Sequence, residues 1–85
     1  MVTKRIKKFG IFVYNDNENT FAFVVDVLMN CLGYEYTQAA SCANLIHRNG
    51  VYCVKSYDTK DLAKVQDTTE LILKHGIKVD YRPIQ

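Results

Sequence analysis

The sequence predicts an α+β fold: a small β-α-α-β-α-β domain in which a three-stranded antiparallel sheet packs against three helices. Three observations lead there. Apolar residues recur at helical spacing in three segments, while three shorter segments are rich in β-branched and aromatic residues. Glycine follows each helical segment, at Gly33, Gly50 and Gly76. The helical segments lie between the strand segments, and a sheet with one apolar face needs helices to cover it.

Phe9 to Tyr14 is a short aromatic and β-branched run and forms the first predicted strand. It stops at Asn15-Asp16-Asn17-Glu18-Asn19, a stretch without an apolar residue and rich in turn formers. Thr20 or Asn19 then caps a helix in which Phe21, Val24, Val25, Leu28, Cys31 and Leu32 share one stripe. Phe23 and Val27 lie off that stripe. The helix is therefore apolar over more of its circumference than packing on one side requires, and contact with two neighbours is expected. Thr37 to Asn49 reads as a second helix with Ala39, Ala43 and Ile46 along one face, and Gly50 stands where a left-handed cap belongs. Val51 to Tyr57 is the second strand. Asp58 or Thr59 caps a third helix with the stripe Leu62, Val65, Thr69 and Ile72, closed by Gly76. The segment Ile77-Lys78-Val79-Asp80-Tyr81-Arg82 alternates strictly, as a strand with one wet face should, and Pro83 suits its edge or end.

The chain of 85 residues is expected to form one domain over residues 9–85, preceded by a short basic arm over 1–8. A domain this small buries only about 60% of its unfolded surface, so a second core is excluded. Its 48% apolar and 24% charged residues are those of a globular chain, not a disordered one. The net charge is +2, and Lys4, Arg5, Lys7 and Lys8 crowd the arm. Elsewhere both signs are interspersed, which argues against a basic face for nucleic acid. The apolar stretch Phe21 to Val25 is ended by Asp26, far short of the roughly 20 residues of a membrane span. Phe9 to Tyr14 is too short for the apolar region of a signal peptide, so a cytoplasmic location is expected. Cys31, Cys42 and Cys53 have neither CxxC spacing nor a nearby Cys/His pattern; they read as buried small apolar residues, and no metal or other cofactor is expected.

Catalytic signatures are absent. There is no GxSxG, Gly-rich phosphate loop or HExxH. Cys42 and His47 lie on one predicted helix roughly 140° apart around its axis, too far for a nucleophile and its base. The chain is expected not to be an enzyme.

Asn15 and Asp16 close an apolar strand just before an apolar helix. Alone, they read as a turn and a cap, or as polar groups at the edge of a pocket. His47 alone reads as a base complementing a helix C-terminus. Taken together, Asn15-Asp16-Asn17, Phe23-Val24-Val25-Asp26-Val27-Leu28 and His47-Arg48-Asn49-Gly50, in gap-free spacing, resemble the ClpS family of protease adaptors. Members of that family have a strand ending in an Asn-Asp-Asp loop, a helix with a Phe-Val-Val/Ile-Asp/Glu-Val-Leu run, and a second helix ending in His-x-x-Gly. The order of elements resembles the family's whole domain over about residues 9–82, more weakly in the last third.

The resemblance implies an adaptor that binds the free α-amino group and bulky side chain of an N-degron, typically an N-terminal Leu, Phe, Tyr or Trp. It also implies delivery to the N-terminal domain of a ClpA- or ClpC-type unfoldase. It assigns the α-amino group to Asn15, Asp16 and His47, the pocket and rim to Asn17, Asn19, Phe21, Val24, Ala43 and Val79, and unfoldase contact to Arg48 and Lys64. The chemistry fits: a free N-terminus is an ammonium with a pKa of about 7.7–8.0 and needs acceptors, which an amide oxygen, a carboxylate and a neutral imidazole nitrogen supply. Burying a Leu or Phe side chain adds about 1.5–3 kcal/mol, and after the cost of association an affinity near micromolar, about 8 kcal/mol, is expected.

Several residues depart from the family's pattern. Phe21 and Ala43 stand where many members have Met; Phe narrows one wall and Ala opens another, so β-branched Ile or Val N-termini are expected to be less strictly excluded. Asn17 replaces a second Asp, and Asn19-Thr20 replaces Thr-Pro. The family usually carries a long flexible N-terminal extension, whereas about eight residues precede the first strand here. A short-armed protein that sequesters N-degrons or inhibits the unfoldase is thus one alternative, and a small nucleic-acid- or ribosome-associated α/β domain is another. A monomer without nucleic-acid or membrane partners is the principal expectation.

Overall fold

The structure, a computed structural model, describes residues 7–85. It contains β1 (Lys8–Tyr14), α1 (Phe21–Leu32), α2 (Tyr36–Asn49), β2 (Val51–Asp58), a 3-10 turn at Thr59–Asp61, α3 (Leu62–Leu73) and β3 (Val79–Ile84). The strands form one antiparallel sheet in the order β2-β1-β3. The fold class is the one the sequence predicts.

β1 is the central strand, and its inward residues Ile11 and Val13 are fully buried. They meet Val25, Val27 and Leu28 of α1, Ala39, Ala43 and Ile46 of α2, and Val65 and Ile72 of α3 in a single core. The wide apolar surface of α1 has the expected cause: α1 packs against both α2 and α3. Thr20 caps α1, its hydroxyl accepting the Phe23 N–H at 3.1 Å. That bond satisfies one of the free donors of the first turn.

The element ends shift in informative ways. Lys8 opens β1 instead of closing the arm, pairing with Asp58 and Ile84; Lys4 and Arg5 of the expected arm lie outside the described residues. α3 stops at Leu73, and a turn carries the chain to Gly76, whose N–H donates to the Leu73 carbonyl. β3 begins at Val79 and includes Pro83 opposite Phe9. An edge strand accommodates proline because one side of its backbone has no ladder partner. Ile77, placed in the strand by its alternation, is instead a core residue just before it. Phe21 and Leu62, both placed on buried stripes, are 44% and 37% exposed. Each opens its helix, and because helical side chains lean toward the N-terminus, the first one leans past the helix end.

Of the three cysteines only Cys42 is buried, with Cys31 and Cys53 half-buried; all three are free thiols, and burial pushes each thiol pKa up. Tyr34 donates its hydroxyl proton to the Val54 carbonyl at 2.6 Å, tying the α1–α2 connection to β2. His75 Nδ1–H donates to the Leu71 carbonyl at 2.9 Å, as a residue capping a helix end should. Among the described residues no helix is long and apolar enough to cross a membrane.

Candidate functional site

The polar loop after β1 is pinned by its backbone at both neighbouring elements. Tyr14 N–H donates to the Lys78 carbonyl at 3.0 Å, and Asn15 N–H donates to the Gly50 carbonyl at 2.9 Å. Gly50 can turn that carbonyl toward β1 because it adopts φ 83°, a left-handed conformation that costs glycine little. Asn15 is thereby held against the last turn of α2, which carries His47.

Asp16 then organises the loop. Its Oδ1 accepts the Glu18 N–H at 2.9 Å, the Asn19 N–H at 3.0 Å and the Asn19 side-chain amide at 3.1 Å, while Oδ2 accepts that same amide at 2.9 Å. Asn19 also donates to the Gly76 carbonyl at 3.2 Å, which straps the loop to the turn after α3. The Glu18 N–H, the Asn19 donors and the Lys78 charge together hold the Asp16 carboxyl below its ordinary pKa, against a smaller opposing effect of desolvation. Asp16 is therefore ionised at neutral pH. Asn19 contacts the carboxylate directly, so its place at the rim is that of a strap. Oδ2 receives one donor within the loop, and a carboxylate oxygen has room for a second.

Beside this loop lies a cavity of about 340 Å3. Asn15, Asp16, Asn17, Asn19 and His47 give it a polar margin, and Phe21, Val24, Ala43 and Ile46 give it an apolar wall. Residues more than thirty positions apart meet here because α1 and α2 pack together with their 21–24 and 43–47 ends adjacent. Ala43 and Ile46 are buried, Val24 is half-buried, and Phe21 stands exposed at the rim. The cavity lining thus combines hydrogen-bonding groups with hydrocarbon.

Eight of the sequence-predicted residues surround this cavity: Asn15, Asp16, Asn17, Asn19, Phe21, Val24, Ala43 and His47. Val79 does not. It pairs with Val13 at the start of β3 and packs half-buried against the core, because the register turns it toward the sheet's own helices. Ile46 lines the cavity and was missed, although its position three residues after Ala43 and beside His47 puts it on the same helical face. Arg48 and Lys64 are exposed on α2 and α3, outside the cavity. Among the described residues no cluster of three His, Cys, Asp or Glu side chains could hold a metal ion.

Comparison with known proteins matches this architecture to one family. The family model for ATP-dependent Clp protease adaptor protein ClpS matches residues 4–79. The ATP-dependent Clp protease adapter protein ClpS of Lawsonia intracellularis is 32% identical over 74 residues, covering 86% of this chain and 67% of that protein. The ClpS of Neisseria meningitidis serogroup B is 29% identical over 79 residues, covering 93% of this chain and 75% of the relative. The structure of Agrobacterium tumefaciens ClpS2 superposes with a TM-score of 0.75 over 94% of this chain and 100% of its own, at 20% identity, which speaks for the fold. The chain belongs to the ClpS family of ATP-dependent Clp protease adaptors.

Proposed function

We propose that the cavity reads protein N-termini: it binds a free α-amino group at its polar margin and a bulky hydrophobic first side chain against its apolar wall. The observation that carries this reading is that Asn15, Asp16 and His47 line one cavity together with the apolar Phe21, Val24, Ala43 and Ile46. An ammonium next to a large apolar group is the feature that distinguishes an unblocked N-terminal Leu, Phe, Tyr or Trp from any internal residue. Asp16 supplies the negative charge, the Asn15 amide oxygen and a His47 ring nitrogen supply further acceptors, and Asn17 extends the margin without adding charge. Agrobacterium tumefaciens ClpS2 has been seen bound to L-phenylalaninamide, a molecule with a free α-amino group and an aromatic side chain. That likeness supports the same class of ligand here.

The bound protein is then delivered to a Clp-type AAA+ unfoldase through exposed residues away from the cavity, with Arg48 and Lys64 as candidates. Two measurements test this. A fluorescent Leu-initiated peptide, free and N-acetylated, separates amino-terminal reading from general peptide binding: the free form binds, the acetylated form does not, and Asp16→Ala and His47→Ala each weaken the free form. Equal binding of both forms defeats the reading. In a degradation assay with a Clp protease, faster turnover of a Leu-initiated substrate supports delivery, and slower turnover contradicts it.

A further inference from the structure

A second cavity, of about 200 Å3, adjoins the first, and Phe21 lines both. From Phe21 it follows α1 along Val25, Asp26 and Met29 to Tyr36, the first residue of α2. Phe21 and Tyr36 are 44% and 63% exposed, a large aromatic surface for so small a domain. Asp26 is exposed, and neither ion pair among the described residues, Glu70–Lys74 and Asp80–Arg82, involves it. Aromatic faces attract a cation, an aliphatic floor accommodates a methylene stem, and a carboxylate completes the charge match. The chemistry suits a Lys or Arg side chain.

Distance indicates which residue of a bound chain would bring that side chain. Asp26 lies five residues beyond Phe21, a rise of about 7.5 Å along the helix with a turn of about 140° around it, and both residues border the second cavity. An extended peptide advances about 3.3–3.6 Å per residue, and alternate side chains face the same side. If the first side chain enters the first cavity, the third emerges about 7 Å further on, facing the protein again, while the second points away.

We propose that the second cavity is a subsite for the third residue of the substrate and selects a basic side chain there, through Asp26, Phe21 and Tyr36. The inference rests on the amino-terminal reading and deepens it: the adaptor reads two positions, first and third.

Fluorescence anisotropy with two peptide series tests it, Phe-Ala-Xaa and Phe-Xaa-Ala at the head of one common sequence, with Xaa as Arg, Ala or Glu. In the first series Arg binds about three- to tenfold tighter than Glu, the size expected of an exposed ion pair with a cation–π contact. In the second series the same exchange matters less. Asp26→Asn brings the third-position ratio toward one, and Tyr36→Leu lowers it as an independent variant at another exposed position. A third-position ratio of one, equal ratios in the two series, or a ratio that survives both substitutions overturns the subsite. An acetylated control separates the two layers. If acetylation still abolishes binding in those cases, the subsite alone has failed; if acetylated and free peptides bind alike, the amino-terminal reading has failed and the subsite with it.

Discussion

Ala43→Met addresses the apolar wall most directly. Ala43 is 3% exposed and belongs to the core, so most of its surroundings are already filled. The Cγ, Sδ and Cε atoms that Met adds can extend only where the side chain borders open space, the cavity of about 340 Å3. The cavity then loses width at the α2 wall while Phe21 already narrows the opposite rim. A Leu side chain branches one carbon further from the backbone than Ile, so the narrowed mouth penalises Ile first. Overpacking costs about 1–3 kcal/mol, which corresponds to about a 5- to 150-fold rise in the Leu-to-Ile affinity ratio. Calorimetric titration of matched peptides beginning with Leu and Ile, against both forms, measures that ratio. Thermal unfolding of the same samples locates the strain, since about 1 kcal/mol shifts the midpoint of a domain this size by about 4–8 °C. An unchanged ratio with a lowered midpoint refutes the reasoning, because the new side chain would then press on the core alone. So would an unsubstituted protein that already binds Ile about a hundredfold worse than Leu, a gap of about 2.8 kcal/mol.

Two further outcomes are expected. Asp16 has a depressed carboxyl pKa, so what it contributes to loop order is present above the unfolded value of about 3.9 and is lost only as pH falls through the lower folded value. Amide resonances of Glu18 and Asn19 should hold steady on acidification to about pH 4 and shift below it, and Asn19→Ala should move that transition upward; a transition already centred above about pH 4 in the unsubstituted chain would contradict this. Gly50→Ala places a Cβ on a residue at φ 83° with open space around it, so conformational strain alone sets the penalty, about 1–2 kcal/mol. Chemical denaturation should report that loss with an unchanged m-value, and no loss would remove the left-handed cap from the account.

Much of the fold is legible in local signals. The spacing of Ala39, Ala43 and Ile46 identified the buried face of α2, and Gly50 marked its end, because helical period and positive φ are properties of short segments. The alternation from Ile77 to Arg82 correctly separated inward from outward residues. Boundaries were harder: α2 begins at Tyr36 and β3 runs on through Pro83, since tertiary pairing extends an element past the point where its own residues favour it.

Within the candidate site the division follows the same physics. Asn15, Asp16 and His47 were singled out by the resemblance to a known family and not by their own residue types, and the fold brings all three to one cavity. What spacing could not convey is that Asp16 spends most of its acceptor capacity on Glu18 and Asn19, bonds that exist only once the loop closes. Nor could it tell that Val79 turns to the core while Ile46 reaches the cavity. By itself the sequence determined which residues share a helix face or a strand face, and therefore the class of fold and the chemistry available to the site. Only the tertiary structure decided which of those faces is covered and which borders open space. A repeating pattern specifies a direction around an element's axis, and the neighbour lying in that direction depends on how strands pair and helices pack.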